Sequence, residues 1–540
     1  MLPRLTLPLP AAALALLAAA FIVPGLAGHD PWKSQDAIAI AIAHGMAASG
    51  DLLVPRVAGM RWLHDPPLYH WIAAAFGRIF QLFLEFHAAA RLASGVLVAA
   101  AFWLTYRAAR DWSGEKNVSV TGSAALLILL GSVGLMVHAH QALPELAALA
   151  ALCGALAALP HAQRRPLAAG IIAGASLGLA FLAAGWIAPA ALALAIAAAH
   201  LACPQWRNRR GAAFFAGTAT VALLLAVSWP LALALHSSGA FLEWSNLAFR
   251  PKAEALASLR QVLATGSWFA WPAWPLALWA AWSLRRRWSE PQLFVPGLAT
   301  LALIAGQAWL GAPQDEHLIA LLAPLALLAA HAVSGLRRGA TAALDWFGVL
   351  TFAFFTALVW LGYVAMLTGF PPRIEYNFAR TAPGFAPQFE PLAFATACLL
   401  AIAWLYVVFF TASSPLRSLT RWAAGIVLLW GTFAMLWMSW ADYQKSYRPV
   451  ALQLRSRIPV DAQCIAQKSL GVSQAAALDY HAGIRARPFD LLKPESCRLL
   501  LVQGSPKHEL DAPGRGWTKL ADVGRPGDKA ERYRLYRLAR

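Results

Sequence analysis

The sequence predicts an all-α polytopic membrane protein with about 13 transmembrane helices, interfacial helices in its first outward loop and a small C-terminal α/β domain. Three observations lead there. The 540 residues are 59% hydrophobic, with a mean hydropathy of +0.55, outside the range of a soluble chain of this size. Thirteen continuous Leu-, Ala- and Trp-rich segments approach the ~18–25 residues that cross a bilayer as a helix. Basic residues recur in alternate short loops. A β-barrel would show short alternating segments instead.

The spans are expected near 5–27, 87–106, 120–137, 144–160, 167–183, 187–203, 211–234, 267–284, 291–310, 318–335, 344–368, 391–411 and 422–441. The first could be read as a cleaved signal, since Ala27 and Gly28 are small. A retained helix keeps the loop parity: Arg107, Arg110 and Lys116, then Arg164 and Arg165, Arg207, Arg209 and Arg210, Arg285–Arg287, Arg337 and Arg338, and Arg417 and Arg421 then all share one side. That side also holds Arg4 and is the inner one, so the C-terminus lies outside. The formal charge of +18 is largely this signal together with the tail, and no nucleic-acid motif accompanies it.

The first outward loop, about 28–86, is far longer than a connector requires. Residues 36–48 read as a helix. Residues 66–84 open on proline and carry His70, Arg78 and Gln81, which suits an interfacial amphipathic helix. A span there would reverse every later loop. Further outward loops at 235–266, 311–317 and 369–390 carry Arg250, Lys252, Asp315, Glu316, His317, Arg373 and Arg380. The polytopic part is placed at 1–442. The tail, 443–540, breaks into short strand-like runs, AQCIAQ, CRLLLVQG and RYRLYRLA, separated by polar turns. Cys153, Cys203 and Cys398 fall in or beside apolar spans. Cys464 and Cys497 share the tail, where an oxidising compartment would allow a disulfide.

The loop's residues carry a resemblance. Asp30-Pro31-Trp32-Lys33-Ser34-Gln35-Asp36-Ala37, then Ser49-Gly50-Asp51-Leu52-Leu53-Val54-Pro55, then His64-Asp65-Pro66-Pro67-Leu68-Tyr69-His70-Trp71 follow the order of DPWKxDEA, SGDW-VP and EKPPLYYW. Glu85-Phe86 with Arg91, and WFAWPAWPLALW at 268–279, add to the match. This order and spacing resembles GT-C membrane glycosyltransferases of the family 39 type, which include bacterial lipid A aminoarabinose transferases and protein O-mannosyltransferases. The chain departs from the pattern where Gln35-Asp36 replaces an acidic pair, Asp65 replaces a lysine, and Ala183-Ala184-Gly185-Trp186 replaces TKGP. Glu145 stands near the place of a further family carboxylate.

The resemblance implies inverting sugar transfer from a polyprenyl phosphate to an envelope acceptor (lipid A, another glycolipid, a polysaccharide or a protein) at the outer face of a bacterial inner membrane. Such chemistry needs a carboxylate base, compensation for the leaving phosphate and a groove for the lipid. Asp36 is the expected base, with Asp30 and Glu145 in support. A helix cap is the alternative role for Asp36, and a turn former for Asp30. Lys33 and Arg91 lead the phosphate candidates, with Arg250, Lys252, Arg373 and Arg380 behind them. Gln35, His64, Asp65, Tyr69 and His70 complete the substrate-binding set. No zinc-type spacing occurs. A divalent metal ion held by His64, Asp65 and His70 with His138, His140 or Glu145 is a further candidate. The lost family charges raise a second reading, a catalytically reduced relative acting as a lipid-binding or assembly subunit. A transporter would show broken helices, mid-membrane charges and internal repeats, which the sequence lacks.

Overall fold

The computed structural model describes residues 5–113, 118–249, 255–310, 314–460, 462, 464–489, 497–506, 513–514 and 516–539. Arg4, Lys116, Arg250 and Lys252 lie outside the described residues. Each of the thirteen predicted segments carries a helix. Among the described residues, eight helices are long and apolar enough to cross a membrane: Phe86–Trp112, Pro144–His161, Pro166–Ala184, Arg209–His236, Pro291–Trp309, Arg338–Thr368, Pro391–Phe410 and Arg417–Leu436. The molecule is a multi-pass membrane protein. The other five segments carry shorter helices, so the count of thirteen crossings rests on the sequence. One reason is local: the 120–137 segment breaks at Gly131–Ser132, between helices Val118–Leu130 and Val133–His138. Trp422 packs so close to Gly131 there that an added Cβ would sit 2.7 Å from its ring.

The Ala11–Ile22 helix is built into the body. Phe21 is fully buried, its carbonyl meets His140 Nε2 at 2.7 Å, and Trp430 donates to the Pro24 carbonyl at 2.7 Å. Helices Pro166–Ala184 and Arg209–His236 touch along Gly170, Gly174 and Gly178. A Cβ on Gly170 or Gly174 would stand 2.6 or 2.5 Å from the opposing Phe214 or Thr218 carbonyl oxygen. Small residues at four-residue intervals let two backbones approach this closely.

The long first loop folds into helix Gln35–Ser49, a hairpin of β1 (Arg56–Val57) and β2 (Met60–Arg61), and helix Leu68–Phe80. At 13 residues the last is too short to cross a bilayer. Ile79, Leu82 and Phe83, at and just beyond its end, are exposed, as an interfacial segment requires. The Gln35–Ser49 helix is different. Its Ile38, Ile40, Ile42 and Met46 are buried in one cluster with Tyr69, Ala147 and, from the tail, Ala475 and Ala476.

The tail contains helix Arg448–Arg457, helix Val472–Ala482 and strands β3 (Ile465–Lys468), β4 (Ala486–Pro488), β5 (Leu499–Gly504), β6 (Trp517–Val523) and β7 (Arg532–Leu538). Their order is β4-β3-β5-β7-β6. β3 is parallel to β4 and β5, whereas β5–β7 and β7–β6 are antiparallel. The three expected strand runs are β3, β5 and β7; β4 and β6 are additional. Cys464 and Cys497 are disulfide-bonded with Cα atoms 5.3 Å apart. That covalent tie joins the residues just ahead of β3 and β5, neighbouring parallel strands inside the sheet, and packs in a cluster with Leu500, Val502 and Tyr536.

Candidate active site

Asp36 sits in the first turn of the Gln35–Ser49 helix and is 2% exposed. Its Oδ1 accepts from Arg91 Nε at 3.1 Å and the Ala142 N–H at 2.7 Å. Its Oδ2 accepts from Arg91 Nη2 at 2.6 Å and the Trp32 N–H at 3.1 Å. Burial pushes this carboxyl up, but the Arg91 charge and these hydrogen bonds outweigh it and hold the carboxyl below the usual aspartate value. Arg91, fully buried, also donates to the carbonyls of His29 and Asp30, at 2.9 and 3.0 Å. The pair therefore fastens the 29–36 segment to the Phe86–Trp112 helix and the turn at Ala142. Four structural donors occupy a carboxylate's lone pairs. That geometry speaks against Asp36 as the base and against Arg91 as a phosphate ligand.

Asp30 and Lys33 face the tail. Asp30 pairs with Arg448 Nη2 at 2.7 Å and accepts from Ser446 Oγ at 2.5 Å. Arg448 also pairs with Glu85. Lys33 Nζ meets Glu531 Oε1 at 2.9 Å, and Glu531 also accepts from Tyr447, Tyr533 and Gln474. Both motif residues are thus engaged in seating the C-terminal sheet.

Asp30, Glu85 and His87 form the one group of three potential metal ligands among the described residues, with ligand atoms within 4.8 Å of one another. Arg448 already supplies the positive charge there, so the residues fit a guanidinium-closed cluster better than a cation site. The expected metal group does not close to ligand distance: His64, Asp65 and Glu145 line one cleft, but no three of the expected ligands come within 4.8 Å of one another among the described residues. His140 is spent on the Met136 and Phe21 carbonyls, and His138 on Gly134. His70 is buried, and burial lowers its pKa to about 4, which keeps it neutral.

Gln35 faces the other way from Asp36. Successive helical side chains differ by about 100°, so Gln35 points into a cleft of about 340 Å³ and donates to Gln314 Oε1 at 3.0 Å. His64, Asp65 and Pro66 of the first loop line the same cleft, with Glu145, Gly185, Trp186, Trp244, Gln307, Gln314 and His317. Glu145 occupies the first turn of the Pro144–Ala158 helix. Its Oε1 lies 3.7 Å from His317 Nε2. Its Oε2, and Oε1 of the neighbouring Glu316, are buried without a hydrogen-bond partner. Asp65 takes a 3.4 Å hydrogen bond from Trp62 Nε1. Burial, with Glu316 adding to it, raises Asp65 above its ordinary value despite His317 and His64 nearby. Buried carboxylate oxygens with no donor are uncommon and mark a place where a partner is missing.

Of the sequence-predicted residues, the structure gathers Gln35, His64, Asp65 and Glu145 here. Tyr69 is fully buried and hydrogen-bonds Ser94 at 2.8 Å, behind the cleft. Arg373 and Arg380 are exposed on helix Pro372–Thr381 and do not line the cleft. No lysine or arginine lines it among the described residues. Glu316 and His317 were visible in the sequence as a loop run but not as site residues. Gly185 and Trp186 were marked in the sequence only as a departure from TKGP, and Trp62 and Trp244 gave no signal separable from the chain's many membrane tryptophans.

The architecture has known counterparts. The ArnT crystal structures from Cupriavidus metallidurans superpose over 97% of this chain and 96% of theirs. The apo form gives a TM-score of 0.67 at 18% identity, and the form bound to undecaprenyl phosphate 0.69 at 17%. In fold, the chain is like these ArnT structures. The chain also has a sequence relative. The undecaprenyl phosphate-alpha-4-amino-4-deoxy-L-arabinose arabinosyl transferase of Pseudomonas savastanoi pv. phaseolicola is 24% identical over 443 residues, 78% of this chain and 77% of the relative. No family model matches.

Proposed function

We propose that this chain is a GT-C glycosyltransferase that moves a sugar from a polyprenyl-phosphate donor to an envelope acceptor such as lipid A. It would do so at the outer face of a bacterial inner membrane, with residues 443–540 on that face. The likeness to ArnT, solved with undecaprenyl phosphate, and to an arabinosyl transferase supports the donor class. The Cys464–Cys497 disulfide supports an oxidising side for the tail.

The observation that carries the catalytic reading is the buried Glu145 carboxyl group, whose Oε2 has no hydrogen-bond partner, on the wall of a cleft built in part by the first loop. In this reading Glu145 takes the proton of the acceptor hydroxyl as that oxygen bonds to the anomeric carbon. The bond from that carbon to the phosphate oxygen breaks, the lipid phosphate leaves, and the configuration inverts. Asp65 and His317 flank the base, and Gln35 orients the sugar by hydrogen bonding. Asp36 and Asp30 hold the loop in place.

The test is transfer from a polyprenyl-phosphate sugar by the purified full-length protein. Glu145→Gln is expected to keep donor binding and lose at least about 100-fold in turnover, the smaller end of general-base contributions. Turnover unchanged in Glu145→Gln overturns the assignment.

A cleft with Gln35 at an acidic family position and no described lysine or arginine on its wall favours a second reading, a relative that binds lipid-linked sugar without turning it over. Binding of polyprenyl phosphate by the native chain, with no turnover of any lipid-linked sugar, would establish it.

A further inference from the structure

A second cavity lies on the back of the helix that carries Glu145. Helices Phe86–Trp112, Pro144–Ala158 and Pro166–Ala184 leave a furrow of about 890 Å³ between them, near the top of the ~300–1,000 Å³ range of ligand sites. Its floor is made by small residues, including Ala147, Ala150, Ala151 and Gly154, and Leu97, Leu104 and Ile172 are among its apolar walls. Ala148, one residue on from Ala147, lines the cleft on the opposite face.

The furrow is apolar along its length and basic at one end. Arg107, His161, Arg164 and Arg165 line that end. Asp111 is the carboxylate facing them, and it is shared by Arg107 at 3.4 Å, Arg110 at 2.8 Å and His161 at 3.3 Å. Arg164 and Arg165 are exposed and have no ion pair among the described residues. Arg107 Nε is buried without a hydrogen-bond partner. The Pro166–Ala184 helix starts at the same place, so its positive end adds to the surplus.

We propose that this furrow binds an anionic phospholipid from the leaflet on the side of the basic loops, its phosphate held by Arg107, Arg164 and Arg165 and an acyl chain lying on the alanine floor. A membrane phospholipid fits better than a donor lipid because of distance. The Pro144–Ala158 helix separates this basic end from Glu145 by roughly 22 Å at 1.5 Å per residue, so a phosphate seated here is out of reach of the cleft.

The experiment is native mass spectrometry of the full-length protein in detergent, titrated separately with phosphatidylglycerol, phosphatidylcholine and undecaprenyl phosphate. Phosphatidylglycerol is expected to bind in preference to phosphatidylcholine. Arg164→Gln/Arg165→Gln should weaken it about tenfold or more, since each basic residue near a membrane surface contributes on the order of 1 kcal/mol. Ala168→Trp, an exposed furrow residue, changes no charge but fills the groove and should weaken it similarly, which keeps the test intact if the double variant does not fold. The proposal is overturned if phosphatidylglycerol binding survives Ala168→Trp, if phosphatidylcholine binds equally, or if undecaprenyl phosphate displaces it from this site.

Discussion

A carboxylate that already accepts four hydrogen bonds has little left to offer a substrate proton, and this separates Asp36 from Glu145. The two acids make opposite predictions. Asp36→Asn removes one partner of a fully buried ion pair and leaves Arg91 uncompensated, a change that costs about 3–5 kcal/mol. Its expected signature is a lower melting temperature and poor folded yield, measured by fluorescence-detected size exclusion, with the surviving protein still active. Glu145→Gln should melt near the native temperature and lose turnover. Full stability of Asp36→Asn with abolished transfer would return the base to Asp36. Gln35→Asp is the third informative change, because it puts a carboxylate on the cleft wall where the family pattern has one, and transfer should rise if that charge limits the native chain. The first-loop motif was legible in the sequence, but its division of labour was not. Gln35 and Asp36 are adjacent letters whose side chains leave the helix about 100° apart, and only the packing of Arg91 decides which of them faces the cleft.

At the scale of elements, two contacts carry the argument. The glycine stripe at 170, 174 and 178 brings two long helices to backbone contact. Gly174→Leu should overpack that seam and cost about 1–3 kcal/mol, read as a fall in thermal stability. An unchanged melting temperature would mean the helices separate freely. The second contact is the ion pair of Lys33 with Glu531. Burial pushes the Glu531 carboxyl up from 4.5, but hydrogen bonds from Lys33, Tyr533 and Tyr447 carry it down to about 2. A depressed carboxylate stabilises the folded state fully above its unfolded value, and that contribution fades as pH falls from 4.5 toward 2. The tail should therefore stay docked, judged by limited proteolysis, from neutral pH to about 4.5, and loosen below it. Glu531→Gln should be looser at neutral pH and lose this acid dependence. Sequence could not show the contact, because 498 positions separate its partners and neither residue lies in a pattern that names the other.

For the whole molecule, hydropathy and basic-loop parity were enough to read a polytopic helical protein with a polar tail. The thirteen-crossing topology makes a direct prediction: a periplasm-dependent reporter fused after residue 540 should be active, and cytoplasmic activity there would overturn the map. The tail's strand order was not legible, since β4 and β6 are short or polar and gain their place only through β3 and β7. The covering of the first loop by the tail has a consequence for biosynthesis. The isoleucine-rich Gln35–Ser49 helix is made among the first residues of the chain, but Ala475 and Ala476, which shield it, arrive more than 400 residues later. At about 5–20 residues per second the ribosome needs on the order of 20–90 s to supply them. Throughout that interval the helix is packed only on the side of Tyr69 and Ala147, and its tail-facing side is completed when a segment made late closes over one made early.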